Sequence, residues 1–572
     1  MYSKTRITIT VTAILICIMY VPSSISQDKT KRFIARCGDG ICDDFEKDHP
    51  EKCPEDCGLI SNQEITTGRA PQEMPRREGP FRSNMGRNKC GDEVCDDFEK
   101  RNPNLCPEDC QDAAQQPSSH SEPVSSDSAQ KELRGVDTKS PFGIIPRLNA
   151  RETVSYANIL GFRSVRLAGP FGLHWDRQGK NEAEIDSDFR ILTENNIEMS
   201  VVLVGCDPTR KGSLTAYSDY VSRVVERYDG DGYKDAPGSP VIAYLEIDNE
   251  PDLSGRFGWK GNIEEARDYA LFLKTAYEAA KSASTHVKVA IGSMANNLEY
   301  FDALLRHLDD LRKGGERYFD VFNYHYYGLH KDYGLKDSID NLNREKPGGI
   351  SYNKVRGLLE RYGYSGTGII ITEAGTYSGS PNPTHLFPHQ SEHEQAVNLF
   401  KQYIFYISKG VERIYWNSVM SDRNNFFGHM ALVRNGKKTL AFYTYKLMTE
   451  KLIGADWDKV ITIRESDNVH IYRFQKKDLK TPVWIAWWDY WEENSAQKEV
   501  RLKIGNSCDN VVITEVVPAM TSSGDINESV FHRYLNKNIK PVQGGGLSLL
   551  LAKTPVFIEP ARTIDKLVPQ DH

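Results

Sequence analysis

The chain has 572 residues, of which 26% are charged, and its formal net charge is −7. At about 100–200 residues per domain this length allows three or four domains, although an α/β barrel can use ~250 residues alone. No basic stripe runs through the sequence, which argues against nucleic-acid binding. We therefore expect several domains and no nucleic-acid partner.

The first 26 residues have the form of a secretory signal peptide. Lys4 and Arg6 precede an apolar run over residues 7–21, and the small residues Ser24 and Ser26 mark a cleavage site. The run is short for a membrane-spanning helix, and no later stretch reaches ~18 apolar residues. A retained N-terminal anchor is the alternative. We expect a secreted, extracytoplasmic mature protein.

Two short segments, residues 37–57 and 90–110, repeat one cysteine pattern, C-x4-C-x10-C-x3-C. A unit of this size cannot bury enough apolar surface to fold unaided, and an exported chain can form disulfides. We therefore predict two disulfide-rich modules. A four-cysteine zinc site is the alternative, less favoured because C-x2-C knuckles are absent. Cys206 and Cys508, outside the repeats, are expected to be free buried thiols.

The modules carry no motif for catalysis. Acidic residues such as Asp39 and Asp43 could bind calcium through oxygen ligands, but a solvated acidic face is the favoured interpretation. Contact with a cell surface or a glycan is the role we expect by default. Residues 58–89 and 111–140 are rich in Ser, Pro, Gln, Asn and charge, which predicts flexible linkers.

From residue 141 apolar runs alternate with amphipathic helical stretches. Eight strand-then-helix units within residues 141–454 predict an α/β fold, a closed (β/α)8 TIM barrel. Over residues 455–562 short alternating strands predict an antiparallel β-sandwich, whose tryptophans we expect in core packing rather than in a sugar platform. The predicted barrel strands are 142–148, 162–168, 197–204, 241–247, 286–292, 319–324, 368–373 and 412–417, and the predicted helices are 150–160, 186–196, 216–228, 262–284, 298–313, 351–363, 390–409 and 438–453.

One of these strands, 368–373, ends in Glu373, and Glu250 lies three residues beyond the end of another, 241–247. Barrel enzymes place their chemistry at the C-terminal ends of the strands. Two carboxylates facing one cavity are the minimum needed to cleave a glycosidic bond. Glu246, Asp248 and Glu250 are spaced two residues apart, so a regular strand would direct all three to one face.

Other predicted strand ends carry residues that can orient carboxylates or stack on a sugar ring: Arg166, His325, Tyr327 and Trp416. Each alone has an ordinary explanation, because a strand-end Glu is usually salt-bridged at the surface and a lone His or Trp is usually structural. The argument rests on several strand ends carrying a suitable residue together.

These motifs resemble those of the clan A retaining glycoside hydrolases, a large (β/α)8 superfamily. Residues 249–251, Asn-Glu-Pro, are similar to the clan's fourth-strand motif, and residues 371–373, Ile-Thr-Glu, to its seventh-strand motif. The resemblance implies that Glu250 is the acid/base and Glu373 the nucleophile, with no metal or organic cofactor. It further implies substrate contacts from Asn249, Arg166, His325, Tyr327, Trp416 and Trp175.

The resemblance carries three further expectations. Trp416 is similar to the clan's eighth-strand Trp, which is often followed by a cis peptide, so the bond from Trp416 to Asn417 is expected to be cis. The sandwich and the loop that contains Trp175 resemble family 39 and its neighbours. Asp248 is a departure, since the clan commonly has an uncharged residue there.

The predicted function is therefore an exported, retaining O-glycosidase of a polysaccharide or oligosaccharide, with carboxyl groups ~5–5.5 Å apart. A catalytically inactive carbohydrate-binding protein on a glycosidase barrel is the alternative. A third hypothesis gives the Cys-rich repeats the main role, with the barrel as passenger. The sequence carries no signal for oligomeric state.

Overall fold

The predicted signal peptide, both Cys-rich modules, Trp175 and Cys206 lie outside the described residues of the computed structural model. Within the described part, no helix is long and apolar enough to cross a membrane. The described residues are 139–169, 172–174, 182–205, 213–253, 258–295, 297–312, 316–327, 352–380, 389–477, 481–489, 497–505, 508–520 and 527–561.

Eight parallel strands form a closed barrel, as predicted. The first strand pairs with both the second and the last, and the second also pairs with the third, so the ring has no free edge. A two-residue strand, Leu173–His174, pairs with the end of the third barrel strand. The barrel strands are β1 Phe142–Ile145, β2 Ser164–Leu167, β3 Glu198–Val204, β4 Ile242–Asn249, β5 Lys288–Ser293, β6 Val321–Tyr327, β7 Gly368–Gly375 and β8 Arg413–Asn417.

A helix follows each barrel strand, and local sequence signals fix several helix starts. Ser391 and Glu394 form a reciprocal capping box, and the side chain of Asn149 accepts a hydrogen bond from the backbone of Glu152. All eight lie where the sequence predicts them, within a few residues at each end. They are α1 Ala150–Leu160, α2 Glu182–Glu194, α3 Leu214–Arg227, α4 Ala266–Ala283, α5 Leu298–Leu311, α6 Tyr352–Arg361, α7 Glu392–Ser408 and α8 Leu440–Leu452.

The C-terminal region forms a six-stranded antiparallel sheet and a two-stranded one, which share an apolar core. The six-stranded sheet has the order β9-β10-β11-β16-β13-β14, and β12 pairs with β15. Trp484 and Trp487 are buried, in agreement with a packing role. The elements are β9 Ile461–Ser466, β10 Val469–Gln475, β11 Pro482–Trp488, β12 Lys498–Lys503, β13 Asn510–Glu515, α9 Glu528–Tyr534, β14 Lys537–Pro541, β15 Gly546–Leu551 and β16 Val556–Pro560.

Three details differ from the sequence prediction. The run 546–560, taken as one strand, is two strands in different sheets, and the elements α9 and β14 were not predicted. The sequence of β14, Lys-Asn-Ile-Lys-Pro, is polar because β14 is an exposed edge strand of the sheet. Cys508 forms no disulfide, as expected, but it is half-buried rather than buried.

The barrel and the sandwich meet along α7, whose buried residues extend around most of the helix. Phe400 packs edge-on against Phe557 of β16, with ring centroids 5.3 Å apart. Lys401, 1% exposed, forms an ion pair with Asp489, which also accepts a hydrogen bond from the indole of Trp487 at 3.1 Å. A buried charge is tolerated only when paired in this way, so the contact fixes the sandwich against the barrel.

Candidate active site

The two glutamates singled out by the sequence lie together at the C-terminal end of the barrel. Glu373 is in β7, and Glu250 directly follows β4. A carboxylate oxygen of each and a ring nitrogen of His325 lie within 4.8 Å of one another. Glu250 is 6% exposed, and the side chain of Glu373 is 18% exposed. The pair is therefore shielded from bulk water, and Glu373 keeps a face open to a ligand.

Glu373 is held by a cation and by a hydroxyl. Nη1 of Arg166 lies 2.7 Å from Oε1 of Glu373, and the hydroxyl of Tyr327 donates to Oε2. Nε2 of His325 is 3.7 Å from Oε1, too far for a hydrogen bond but close enough for an electrostatic interaction. Both oxygens of Glu373 are thus fixed in place.

These contacts determine the ionisation state of Glu373. Burial raises its pKa, but the charges of His325 and Arg166 and the hydrogen bond from Tyr327 outweigh burial and lower the pKa to about 2. Glu373 is therefore a carboxylate at neutral pH. An ionised carboxylate with one open face is the state that a nucleophile requires.

Substitution of Tyr327 by phenylalanine should raise the pKa of Glu373 from its value of about 2. A hydrogen bond to a charged group is worth about 1.5–3 kcal/mol, which corresponds to a rise of roughly one to two pH units. Because a higher pKa means protonation at a higher pH, Glu373 should become protonated at a higher pH in the variant than in the parent. Carbon-13 NMR titration of labelled glutamate measures the pKa of Glu373 in the parent and in the variant. Tyr362→Phe, which replaces a tyrosine on the outer helix layer, is the control.

Glu250 makes different contacts from Glu373. Its Oε1 lies 2.8 Å from Nδ1 of His325, and its Oε2 accepts from the side-chain amide of Asn249 at 3.3 Å. His325 therefore lies between the two carboxyl groups, with one ring nitrogen facing each.

Glu246 is a third carboxylate near the site, and it is paired with Arg166. It is fully buried, and its carboxylate accepts hydrogen bonds from Arg166, from Ser200 at 2.7 Å and from Asn323 at 2.9 Å. Arg166 is 1% exposed and also donates to Asn249 at 2.8 Å. Arg166 thus contacts the carboxylates of Glu246 and Glu373 and the side chain of Asn249.

The expectation that Glu246, Asp248 and Glu250 share one face is wrong at Asp248. The φ angles at Asp248 and Glu250 are +71° and +53°, which breaks the regular alternation of the strand. Oδ2 of Asp248 accepts from the indole of Trp259 at 3.0 Å, and Trp259 packs on Tyr269 of α4. Asp248 is therefore tied to the helix layer, and the departure from the clan pattern does not place a third carboxylate beside the pair.

Substitution of Trp259 by phenylalanine should lower the free energy of unfolding by about 1–3 kcal/mol. The variant removes the donor to a fully buried carboxylate while it keeps an aromatic ring at the site. Urea unfolding followed by circular dichroism measures the change. Trp488→Phe, at a half-buried position of the sandwich, is the matched control. Equal stability of both variants would contradict a structural role for the hydrogen bond to Asp248.

The end of β8 supports Tyr327. The side-chain amide of Asn417 donates to the hydroxyl of Tyr327 at 3.0 Å, and Nε of Arg147 donates to Oδ1 of Asn417 at 3.2 Å. The cis peptide lies between Asn417 and Ser418, one residue beyond the predicted position. The reason is that β8 continues through Asn417, which pairs with Ile145, so the bond from Trp416 still belongs to the strand.

Trp416 itself lies below the open part of the site. Its side chain is fully buried, and its indole donates to the backbone oxygen of Met430 at 2.9 Å. Among the described residues, Phe426 and Phe427 are further partly exposed aromatics near the pair, with ring centroids 6.0 and 5.7 Å from that of Tyr327. The sequence analysis missed these two because they lie in a loop after β8 and match no motif.

The same trio, Glu250, His325 and Glu373, offers a ligand set that a divalent metal could use. Arg166 already places a fixed positive charge 2.7 Å from Glu373, which disfavours a second cation at that oxygen. A second set of acidic side chains that could bind a metal ion lies in the loop after α3 and comprises Asp229, Asp231 and Asp235. The geometry around Glu373 therefore favours acid–base and nucleophilic chemistry.

No protein-family model and no curated protein sequence matches the chain. Similar solved structures include a glucosidase from Croceicoccus marinus, which is 14% identical with a TM-score of 0.45 over 74% of this chain and 95% of that chain. A monomeric β-xylosidase from Caulobacter crescentus CB15 is 14% identical with a TM-score of 0.47, over 75% and 97% of the two chains. A family 44 xyloglucanase from Paenibacillus polymyxa is 10% identical with a TM-score of 0.48, over 73% and 96%.

Proposed function

We propose that this protein is a retaining O-glycosidase in which Glu373 is the nucleophile and Glu250 the acid/base. The observation that carries the proposal is the approach of the two carboxylates, with an oxygen of each within 4.8 Å. Retaining enzymes hold their carboxyl groups ~5–5.5 Å apart, whereas inverting enzymes leave ~6.5–9.5 Å for a water molecule. The short approach supports direct attack on the sugar.

In the first step the glycosidic oxygen takes a proton from Glu250 while Oε1 or Oε2 of Glu373 attacks the anomeric carbon. The bond to the leaving group breaks, and a covalent glycosyl-enzyme forms. As Glu373 loses its charge in this bond, Arg166 keeps its buried ion pair with Glu246, whose carboxylate accepts hydrogen bonds from Nε and Nη2 of the guanidinium. Glu246 thus keeps the guanidinium neutralised throughout.

In the second step a water molecule gives its proton to Glu250 and attacks the anomeric carbon, which restores Glu373 as a carboxylate and retains the configuration. His325 faces both carboxyl groups and fixes Glu250 through Nδ1 at 2.8 Å. Asn249 is 9% exposed and is anchored by Arg166, which is a position from which its amide can bind a sugar hydroxyl beside Glu250.

We also propose that the mature protein is exported and that its substrate is a polysaccharide or a fragment of one. The support for export is the signal-like sequence of residues 1–26. The support for a sugar substrate is the site itself, in which a carboxylate pair lies beside the partly exposed rings of Phe426 and Phe427. Aromatic faces of this kind are suited to stacking on sugar rings.

The test is a screen of the purified mature chain against aryl glycosides and polysaccharides, in parallel with Glu373→Ala. Glu360→Ala, at an exposed position of α6, is the matched control. Turnover by the parent and by Glu360→Ala, but not by Glu373→Ala, is expected, and proton NMR of the first anomer released should show retention. Release of the opposite anomer would overturn the mechanism. Affinity for glycans with no turnover in any variant would instead favour a carbohydrate-binding protein.

A further inference from the structure

Arg147 is a cation at the open end of the barrel that the proposed mechanism does not use. It lies two residues beyond β1, is exposed, and adopts a left-handed backbone conformation with φ of +53°. This conformation is uncommon for a residue other than glycine, and it persists only where surrounding contacts hold it. The side chain of Arg147 donates a hydrogen bond from Nε to Oδ1 of Asn417, at 3.2 Å.

The rest of the guanidinium has no protein partner among the described residues. Nη1 and Nη2 of Arg147 donate to no described acceptor, and Arg147 forms no ion pair there. Arg166 is the opposite case, since both of its Nη atoms and its Nε are hydrogen-bonded to side chains. Within the described part of the chain, the two Nη atoms of Arg147 thus keep donors available to a ligand, whereas those of Arg166 do not.

Arg147 is linked to the carboxylate of Glu373, the proposed nucleophile. A continuous chain of hydrogen bonds runs from Arg147 through Asn417 and Tyr327 to Glu373. The charge of Arg147 reaches Glu373 as well, since it is one of the causes that hold the pKa of Glu373 low. A sugar whose anomeric carbon contacts Glu373 would therefore lie near the open side of Arg147.

We propose that Nη1 and Nη2 of Arg147 bind an anionic group, the carboxylate of a uronic acid or a sulfate ester, on the sugar in the site. The inference rests on the proposed glycosidase function and adds to it the charge of the substrate. A guanidinium presents two parallel donors that match the two oxygens of such a group. An anionic sugar would otherwise be repelled by ionised Glu373, and a second cation at the mouth offsets that repulsion.

The experiment compares matched ligands that differ in charge alone. Equilibrium binding of nitrophenyl uronides and of their methyl esters is measured by calorimetry with the full mature chain, Arg147→Gln and Arg147→Lys. Arg151→Gln, an exposed arginine in the first turn of α1, is the control. A second arm uses sulfated and unsulfated forms of one glycoside, which distinguishes carboxylate from sulfate. Hydrolysis of the same ligands is followed separately.

The expected result is that Arg147→Gln weakens binding of the anionic ligand roughly 10- to 100-fold more than binding of its neutral form. Arg147→Lys should recover part of this loss, because it keeps the charge but loses the paired donors. In the hydrolysis measurements, Arg147→Gln should raise KM more for the anionic ligand than for its neutral form. The Arg151→Gln control should bind both ligands as the parent does.

Equal weakening for the anionic and neutral ligands would overturn the inference, because Arg147 would then act only through Asn417. Preference of the parent for neutral ligands would also overturn it. Both results leave the glycosidase proposal intact, since that proposal depends on hydrolysis by the parent. Conversely, absence of hydrolysis would contradict the proposed glycosidase function. The binding comparison would still decide whether Arg147 selects an anionic ligand.

Discussion

Substitution of Arg166 by methionine should lower the free energy of unfolding by about 3–5 kcal/mol and should also abolish turnover. Arg166 and Glu246 form an ion pair at 3.0 Å in which the side chains are 1% and 0% exposed. Removal of the cation leaves Glu246 as a buried charge whose remaining donors among the described residues, Ser200 and Asn323, are neutral. Glu373 loses its closest cation in the same change.

The double variant Arg166→Met/Glu246→Met separates the two effects. Apolar residues of similar volume can replace a buried ion pair with little loss of stability, so the double variant should recover about half or more of the lost free energy. Turnover should not recover, because Glu373 and Asn249 still lack their partner. Urea unfolding and kcat/KM are measured on parent, single and double variants. Recovery of activity in the double variant would contradict the role given to Arg166.

Much of the fold could be predicted from the sequence because a parallel barrel has a simple pattern. Each strand is buried on both faces, so it is an apolar run, and each covering helix is amphipathic. The exceptions have physical reasons. The edge strand β14 has no buried face to mark it, and the run 546–560 contains a strand end that hydrophobicity alone does not show.

The candidate site could be predicted only in part. The positions of Glu250 and Glu373 follow from their place at strand ends, because parallel strands bring these ends to one side of the barrel. The turn of Asp248 toward Trp259 depends on a positive φ at a residue other than glycine, for which the sequence gives no sign. The link from Arg147 to Asn417 could not be inferred either, since it requires β1 and β8 to close the ring.

Substitution of Glu250 by alanine should lower kcat/KM by about 10²- to 10⁴-fold on glycosides with alkyl leaving groups, the usual contribution of a general acid. Aryl glycosides with acidic phenols should lose far less in the first step, because a good leaving group departs without a proton. Glu373 would still attack, since its cation and hydroxyl donors do not involve Glu250. The dependence on leaving group therefore tests which carboxyl supplies the proton.

The same variant should accumulate the glycosyl-enzyme on activated substrates. Without Glu250 the attacking water loses the carboxylate that would take its proton, so the second step slows and an initial burst of phenol should precede a low steady rate. Intact-mass spectrometry measures the sugar adduct directly, and peptide mapping should place it on Glu373. Glu360→Ala is the control for both readouts. An equal loss for alkyl and aryl substrates, with no burst and no adduct, would exclude Glu250 as the acid/base. His325 would then be the next candidate, because its ring nitrogens face both carboxylates.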